Sequence, residues 1–348
     1  MRRVGSSLLV ALLLLLGCTA GEAPEPDPDP DPEPGEEATG PSGLRVGVVL
    51  PPGDAAAADE VDAAALGLDG IADDVDDVSE IRAVVPDGEP FVADVATLLA
   101  EDGYGLVCVV GDDAQRLVLD LAERWVGTDF CALPGDPERD VPDNVVLVQV
   151  AVEELGTVVG VALAALAGDA PAEALYAAER TGLDRFRAGV RVGFGAGELR
   201  EVTGEPADLE PELDEALDGE VAALAFDARA ASHEAVERAA ATLPTLAPAS
   251  LLSEEDAALV WRTRWDAVLR AVVAWHLDRD VERPRTVGFA EEVFDVTAGG
   301  RSTSTMRAAV ETVVGELARG QRDPLEPEED RDEDVDGAGD GDEEGDDG

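Results

Sequence analysis

The chain has 348 residues, 78 acidic and 25 lysine or arginine, and a formal net charge of −53; every one of the 25 is arginine. A surface of that sign repels phosphate backbones, which excludes nucleic-acid binding, while 45% hydrophobic residues suffice for one large core or two lobes. Eight acids fall in residues 19–43 and fifteen in 322–348, so most of the excess belongs to the body between them. Its self-repulsion weakens as the Debye length shrinks from about 10 Å at 0.1 M salt to about 3 Å at 1 M. A high-salt habitat and a GC-rich genome both account for such a composition.

Taken in order, the chain opens on a leader. Arg2 and Arg3 make a positive start, Leu8 to Leu16 an apolar core, and Leu15-Leu16-Gly17-Cys18 resembles a bacterial lipobox. The apolar run is about half of the ~20 residues that a spanning helix needs. Residues 1–17 are therefore expected to be removed and Cys18 lipidated. Two or more acyl chains, palmitate among them, would then hold the mature chain on the extracytoplasmic face of the cell membrane. Residues 18–43 alternate Pro with acids (EPDPDPDPEP), which gives an extended, self-repelling tether with nothing to pack.

A folded domain is expected over 44–320. Leu44–Leu50 is its first strand, followed by an Ala-rich helix through Leu68, a strand over Glu80–Val85 and a helix over Phe91–Ala100. Gly103-Tyr104-Gly105 turns into the unbroken apolar run Leu106–Val110, as in a parallel strand covered on both faces. Gly111-Asp112-Asp113 opens a helix carrying Leu117, Val118, Leu121 and Trp125 at helical spacing, with Asp113 as the expected N-cap. Phe130–Leu133 and Val145–Val150 are further strands, and Glu153–Leu166 is a strongly apolar helix expected between layers.

The alternation continues. Strands are expected at Ala174–Ala178, Leu199–Val202, Val221–Phe226 and Leu259–Trp261, and extended structure over Thr286–Val296. Helices are expected at Leu183–Phe194, Leu209–Leu217, His233–Ala241, Trp265–Leu277 and Thr305–Leu317. Strand–helix alternation over this length gives an α/β class with parallel sheets. Residues 321–348 read as a disordered acidic tail. Its Asp332 to Glu343 stretch fits the EF-hand loop pattern at positions 1, 3, 5, 6 and 12, but Gly339 holds the usual apolar eighth position, so it reads as a polyanion binding divalent cations weakly.

Several segments together resemble one family. GYGLVCVVG…LAERWVGTDFCALPG, VPDNVVLVQVAVEELGTVVGVALAALAG, TGLDRFRAGVRVGF and WDAVLRAVVAWHL…TVGFAEEVFDVTAGG follow the order seen in basic membrane lipoproteins. These are the purine-nucleoside-receptor-like substrate-binding proteins of ABC importers. The similarity covers about Leu44 to Gly300. Its most specific pieces are Phe186-x-x-Gly189 and the Pro142, Asn144, Glu154, Gly156 pattern. The resemblance implies a periplasmic-binding-protein type I fold, two Rossmann-like lobes closing over a ligand by hinge motion. It places lobe 1 at about 44–151 plus part of 260–300, and lobe 2 at about 152–259. The pocket departs from the family: Pro51, Glu60 and Val61 stand at its acid, stacking-Phe and Asn positions, and Asp227-Ala228-Arg229-Ala230 replaces its Gly-rich loop.

Ligands of open parallel sheets bind beyond the carboxyl ends of the strands. The loops there offer Asp54, Asp112, Asp113, Glu179, Arg180, Asp227 and Arg229. A buried carboxylate can accept two sugar hydroxyls, and an arginine can pair a ligand carboxylate or phosphate. The alternative for each acid is a helix cap or a solvated charge. Phe186 reads as a ring platform or as core, and Trp261 and Trp265 divide the same way. Cys108 and Cys131 lie on neighbouring strands, as a disulfide or as two buried thiols. His233 and His276 are the only histidines; no zinc spacing, nucleophile elbow, P-loop or GxGxxG follows a strand. The expectation is a monomeric, non-enzymatic binding protein without cofactor or metal, which passes a small polar solute to an ABC permease. The alternative is a sensor or surface-structural lipoprotein of the same fold with a degenerate cleft.

Overall fold

Short runs of Val, Leu and Ala, each followed by an amphipathic segment, fold here as parallel strands with helices on both faces. The computed structural model describes residues 43–50, 71, 75, 77–86, 88, 91–111, 113–178, 182–227, 230–278, 283 and 285–326. The leader with Cys18, the tether, the Ala-rich helix expected after the first strand and the tail beyond Glu326 lie outside them.

The first sheet contains β1 (Leu44–Val49), β2 (Val78–Val84), β3 (Leu106–Val110), β4 (Asp129–Leu133) and β5 (Val145–Leu147). Its order is β2-β1-β3-β4-β5 and every pairing is parallel. Strand side chains alternate between faces. Val107, Val109, Phe130 and Ala132 pack under helices α1 (Val92–Glu101) and α2 (Ala114–Ala122). Val46, Val48, Cys108, Cys131 and Leu133 point to the other face, into a core shared with helix α7 (Trp265–Leu277). Cys108 and Cys131 are register partners across β3 and β4, both fully buried, with Cα atoms 4.4 Å apart and their sulfurs joined as a disulfide. Asn144 pins the loop before β4: its amide donates to the carbonyls of Ala122, Trp125 and Thr128 at 3.3, 3.4 and 3.1 Å.

The second sheet runs β13-β11-β10-β9-β7-β8. Its strands are β7 (Ala172–Ala177), β8 (Leu199–Gly204), β9 (Ala223–Phe226), β10 (Thr245–Pro248), β11 (Leu259–Thr263) and β13 (Phe294–Ala298), the last antiparallel to β11. Helices α3 (Val152–Ala167), α4 (Leu183–Phe194) and α8 (Ser304–Ala318) cover one face. Helices α5 (Pro206–Asp218) and α6 (His233–Thr242) cover the other.

Helices α3 and α4 approach unusually closely, because each carries two glycines four residues apart. A Cβ on Gly156, Gly160, Gly189 or Gly193 would lie 2.1, 2.2, 2.1 or 2.1 Å from a backbone carbonyl oxygen of the opposite helix. Ordinary side chains would hold the axes 8–10 Å apart. Here backbone meets backbone.

Among the described residues the chain passes between the sheets three times. It leaves the first sheet through β6 (Gln149–Val150) into α3, and leaves β11 at Thr263 for α7. It returns through β12 (Thr286–Val287) to β13. Helix α7 sits on the first sheet, with His276 Nδ1 2.5 Å from Asp129 Oδ2 at the start of β4. β6 and β12 pair in parallel, and Gln149 and Ala151 N–H donate to Arg285 and Val287 carbonyls, each at 2.8 Å.

Three expectations need correcting. The single strand Val145–Val150 is two, because Val148 N–H bonds to Ala132 in the sheet while Gln149 N–H turns to Arg285. The extended run Thr286–Val296 is β12, a 3-10 turn at Phe289–Glu291 and the start of β13. Asp113 precedes α2 but does not cap it: no side-chain cap bond forms, and its exposed carboxylate lies 3.5 Å from Arg116 instead. β10 went unforeseen, its four residues ending in Pro and offering no period to read.

Candidate functional site

The carboxyl ends of β1, β3 and β4 in one sheet, and of β7, β9 and β10 in the other, define the site by the rule for open parallel sheets. Of the residues proposed for it, Asp54, Asp112, Glu179, Arg180 and Arg229 lie outside the described residues. Asp227 directly follows β9 and is fully buried. Its N–H donates to the Leu175 carbonyl at 3.0 Å and its own carbonyl accepts from Ala230 N–H at 3.1 Å, so the backbone turns sharply there. A carboxylate held at that edge suits hydroxyl recognition better than a solvated one would. Asp113 is on the surface, facing Arg116.

Phe186 is in the core. Only 4% of it is exposed, and its ring meets Tyr176 edge-on at 6.1 Å and Trp261 at 6.4 Å. Its carbonyl is also the atom that Gly156 approaches. The faces a ligand ring would stack on are taken by protein, so packing explains this side chain and a ring platform does not. Trp261 is buried with it, and Trp265 begins α7 at the second crossing.

Beside the crossings is a group of charges of which the sequence singled out only Glu154, as one mark of the resemblance. Glu154, in the first turn of α3, accepts the Phe289 N–H at 2.8 Å through Oε2, and Glu291 accepts the Gly288 N–H at 2.7 Å. Arg264, at the second crossing, reaches Asp266 at 2.7 Å and Glu292 at 3.7 Å. Glu154 and Glu292 each meet a group brought near by another crossing, whereas Glu291 and Asp266 bond within their own segment. The 135 residues between Glu154 and Phe289 leave no local signal for that bond.

A cavity of about 180 Å³ between the N-termini of α5 and α6 adjoins the Asp227 turn and is lined by Leu175, Pro206, Leu213, Phe226, Ala230 and Ser232. It is apolar and smaller than the roughly 300–1,000 Å³ typical of ligand sites. Two wider depressions, about 520 Å³ beside Thr297 and Arg307 and about 370 Å³ beside Leu252 and Arg301, adjoin Gly299–Arg301. That segment bonds to Ala257 and Ala258, at the amino end of β11 and opposite the candidate site. No group of three or more His, Cys, Asp or Glu among the described residues could hold a metal ion, and no helix among them is long and apolar enough to cross a membrane.

One buried carboxylate yields a pH prediction. The Glu173 side chain on β7 has no exposed surface, and its nearest cation, Arg200 at 3.5 Å, is shared with Glu212 and Glu215. Burial pushes this carboxyl above its ordinary value; Arg200 opposes that, and Glu212 and Glu215 add to it. The folded chain therefore holds the proton more tightly than the unfolded chain. Stability is lost as pH rises from the ordinary carboxylate range through the raised value. Glu173→Gln should flatten that slope and raise the Tm at neutral pH, read as Tm against pH from about 4 to about 8. An unchanged slope would sink the assignment.

No family model matches the sequence, and no curated protein matches it. Solved structures do. The chain is similar to an ABC-transporter solute-binding protein from Conexibacter woesei DSM 14684, at TM-score 0.62 and 19% identity, over 80% of this chain and 98% of that one. It is similar to a transcriptional activator of the comK gene from Bacillus halodurans, at TM-score 0.63 and 13% identity, over 81% and 100%. An ABC-transporter periplasmic solute-binding protein from Actinobacillus succinogenes 130z, solved with D-allose bound, aligns at TM-score 0.56 and 11% identity over 76% and 99%. At such identities the likeness establishes the fold. It is the α/β type I periplasmic-binding-protein fold, with a parallel sheet in one half, a mostly parallel sheet in the other and, among the described residues, three crossings between them.

Proposed function

We propose that the protein is a lipid-anchored, extracytoplasmic solute-binding protein, attached through Cys18, that captures a small polar ligand and delivers it to an ABC permease. The observation carrying this is the pair of parallel sheets joined by three crossings, the arrangement in which two halves hinge shut over a solute. Structural neighbours described as solute-binding proteins support the role, and the D-allose complex supports a polyhydroxylated ligand. A nucleoside rests on the sequence resemblance alone, and Glu60 and Val61 at its stacking and Asn positions weigh against ring stacking there. The acidic body disfavours anionic ligands. The chain acts as a monomer and catalyses nothing.

A thermal-shift screen of nucleosides, sugars and amino acids in about 1 M salt, where the Debye length is about 3 Å, tests the reading. A true ligand at a hundred times its Kd adds about 2.7 kcal/mol of stability and a clear rise in Tm. No rise with any of the three classes would defeat capture. It would favour a sensor or surface-structural lipoprotein of the same fold.

A further inference from the structure

Two of the three crossings lie side by side, and one side chain ties them beyond their short ladder. Glu154 stands four residues after β6, and Phe289 two residues after β12. The Phe289 N–H donates to Glu154 Oε2 at 2.8 Å. Between β12 and Phe289 sits Gly288, where a Cβ would fall 2.2 Å from that same oxygen. The carboxylate thus rests on bare backbone, at a position only glycine leaves open.

The charged groups facing it are few. Glu153 neighbours it on α3 and is itself bonded by Arg185 from α4. The 3-10 turn brings Glu291, whose carboxylate holds the Gly288 N–H, and Glu292, which Arg264 approaches from the second crossing. No cation among these bonds to Glu154.

We infer that Glu154 is the positioning residue of the hinge: it holds the first and third crossings together and sets how readily the two sheets separate. Burial, foremost, raises its carboxyl above the ordinary carboxylate range; the Phe289 N–H opposes this, and Glu153 and Glu291 add to it. When the crossings part, the carboxyl returns to water and to its ordinary proton affinity. The held state therefore binds the proton more tightly. Lowering the pH favours holding, and raising it through the elevated value favours release. This depends on the fold and not on the capture of any solute.

Amide hydrogen exchange on the full chain, with no ligand added, tests it in the native protein, Glu154→Gln, Glu154→Ala and Glu291→Gln between about pH 4 and about pH 8. After correction for intrinsic exchange, protection over residues 286–291 in the native protein should fall as pH rises, by up to about tenfold for each unit of elevation. Glu154→Gln, a neutral copy of the protonated form, should stay protected at every pH. Glu154→Ala should be weakly protected throughout and show a larger radius of gyration by small-angle scattering. Glu291→Gln should keep the pH step. Amides of Leu106–Val110 report that the fold is intact. The inference fails if Glu154→Gln retains the native pH step, or if Glu154→Ala matches the native protein in protection and radius. Should Glu154→Ala not fold, Glu154→Gln against the native protein decides alone.

Discussion

Reducing or deleting the Cys108–Cys131 disulfide is expected to lower the stability of the chain by about 3 kcal/mol, and the Tm by about 6–12 °C. The bond closes a loop spanning 23 positions between adjacent strands at the centre of the first sheet. Its main contribution is to the unfolded chain, whose freedom it restricts by an amount that grows slowly with loop length. Both residues are fully buried, so a mild reductant meets the sulfurs only when the sheet opens. Reduction should therefore be slow in the folded protein and fast once urea unfolds it. Melting the Cys108→Ala/Cys131→Ala variant beside native protein, with and without reductant, checks the effect. A native Tm indifferent to prolonged reduction, with free thiols counted, would remove the disulfide from the account.

Replacing Gly160 or Gly189 with alanine is expected to cost about 2 kcal/mol, or about 4–8 °C in Tm. Two effects compete at each position. Alanine is the better helix former, by about 1 kcal/mol. Its methyl, however, would sit 2.2 Å from the Val190 carbonyl at position 160 and 2.1 Å from the Glu153 carbonyl at position 189. No flexible side chain is there to yield, so the helices must separate along their length, and overpacking of that kind costs about 3 kcal/mol. The clash wins. Gly127→Ala is the control: nothing lies within 4 Å of its would-be Cβ, and the expected change stays within about 0.5 kcal/mol. Equal melting of all three variants would show that α3 and α4 tolerate a wider spacing.

The second of these losses bears on function through one element. Helix α3 begins at the first crossing, carries Glu154 and packs on α4 through its glycines. Asn144, Glu154 and Gly156 stood out in the sequence as marks of a resemblance. In the structure Asn144 pins a loop, Glu154 ties two crossings and Gly156 allows backbone contact. All three roles are contacts within the protein.

What the sequence determined by itself was everything set by short-range chemistry. Leu106–Val110 was legible as a strand because a covered parallel strand tolerates no polar break, and Leu183–Phe194 as a helix because its apolar side chains recur on one face. The tertiary structure decided the rest. It divided Val145–Val150 between two partners, buried Phe186 under Tyr176 and Trp261, and set Glu154 against an amide 135 residues away. Periodicity records what a residue's own element does with its faces. Which distant backbone arrives beside it depends on how two sheets and three crossings pack, and no local pattern carries that.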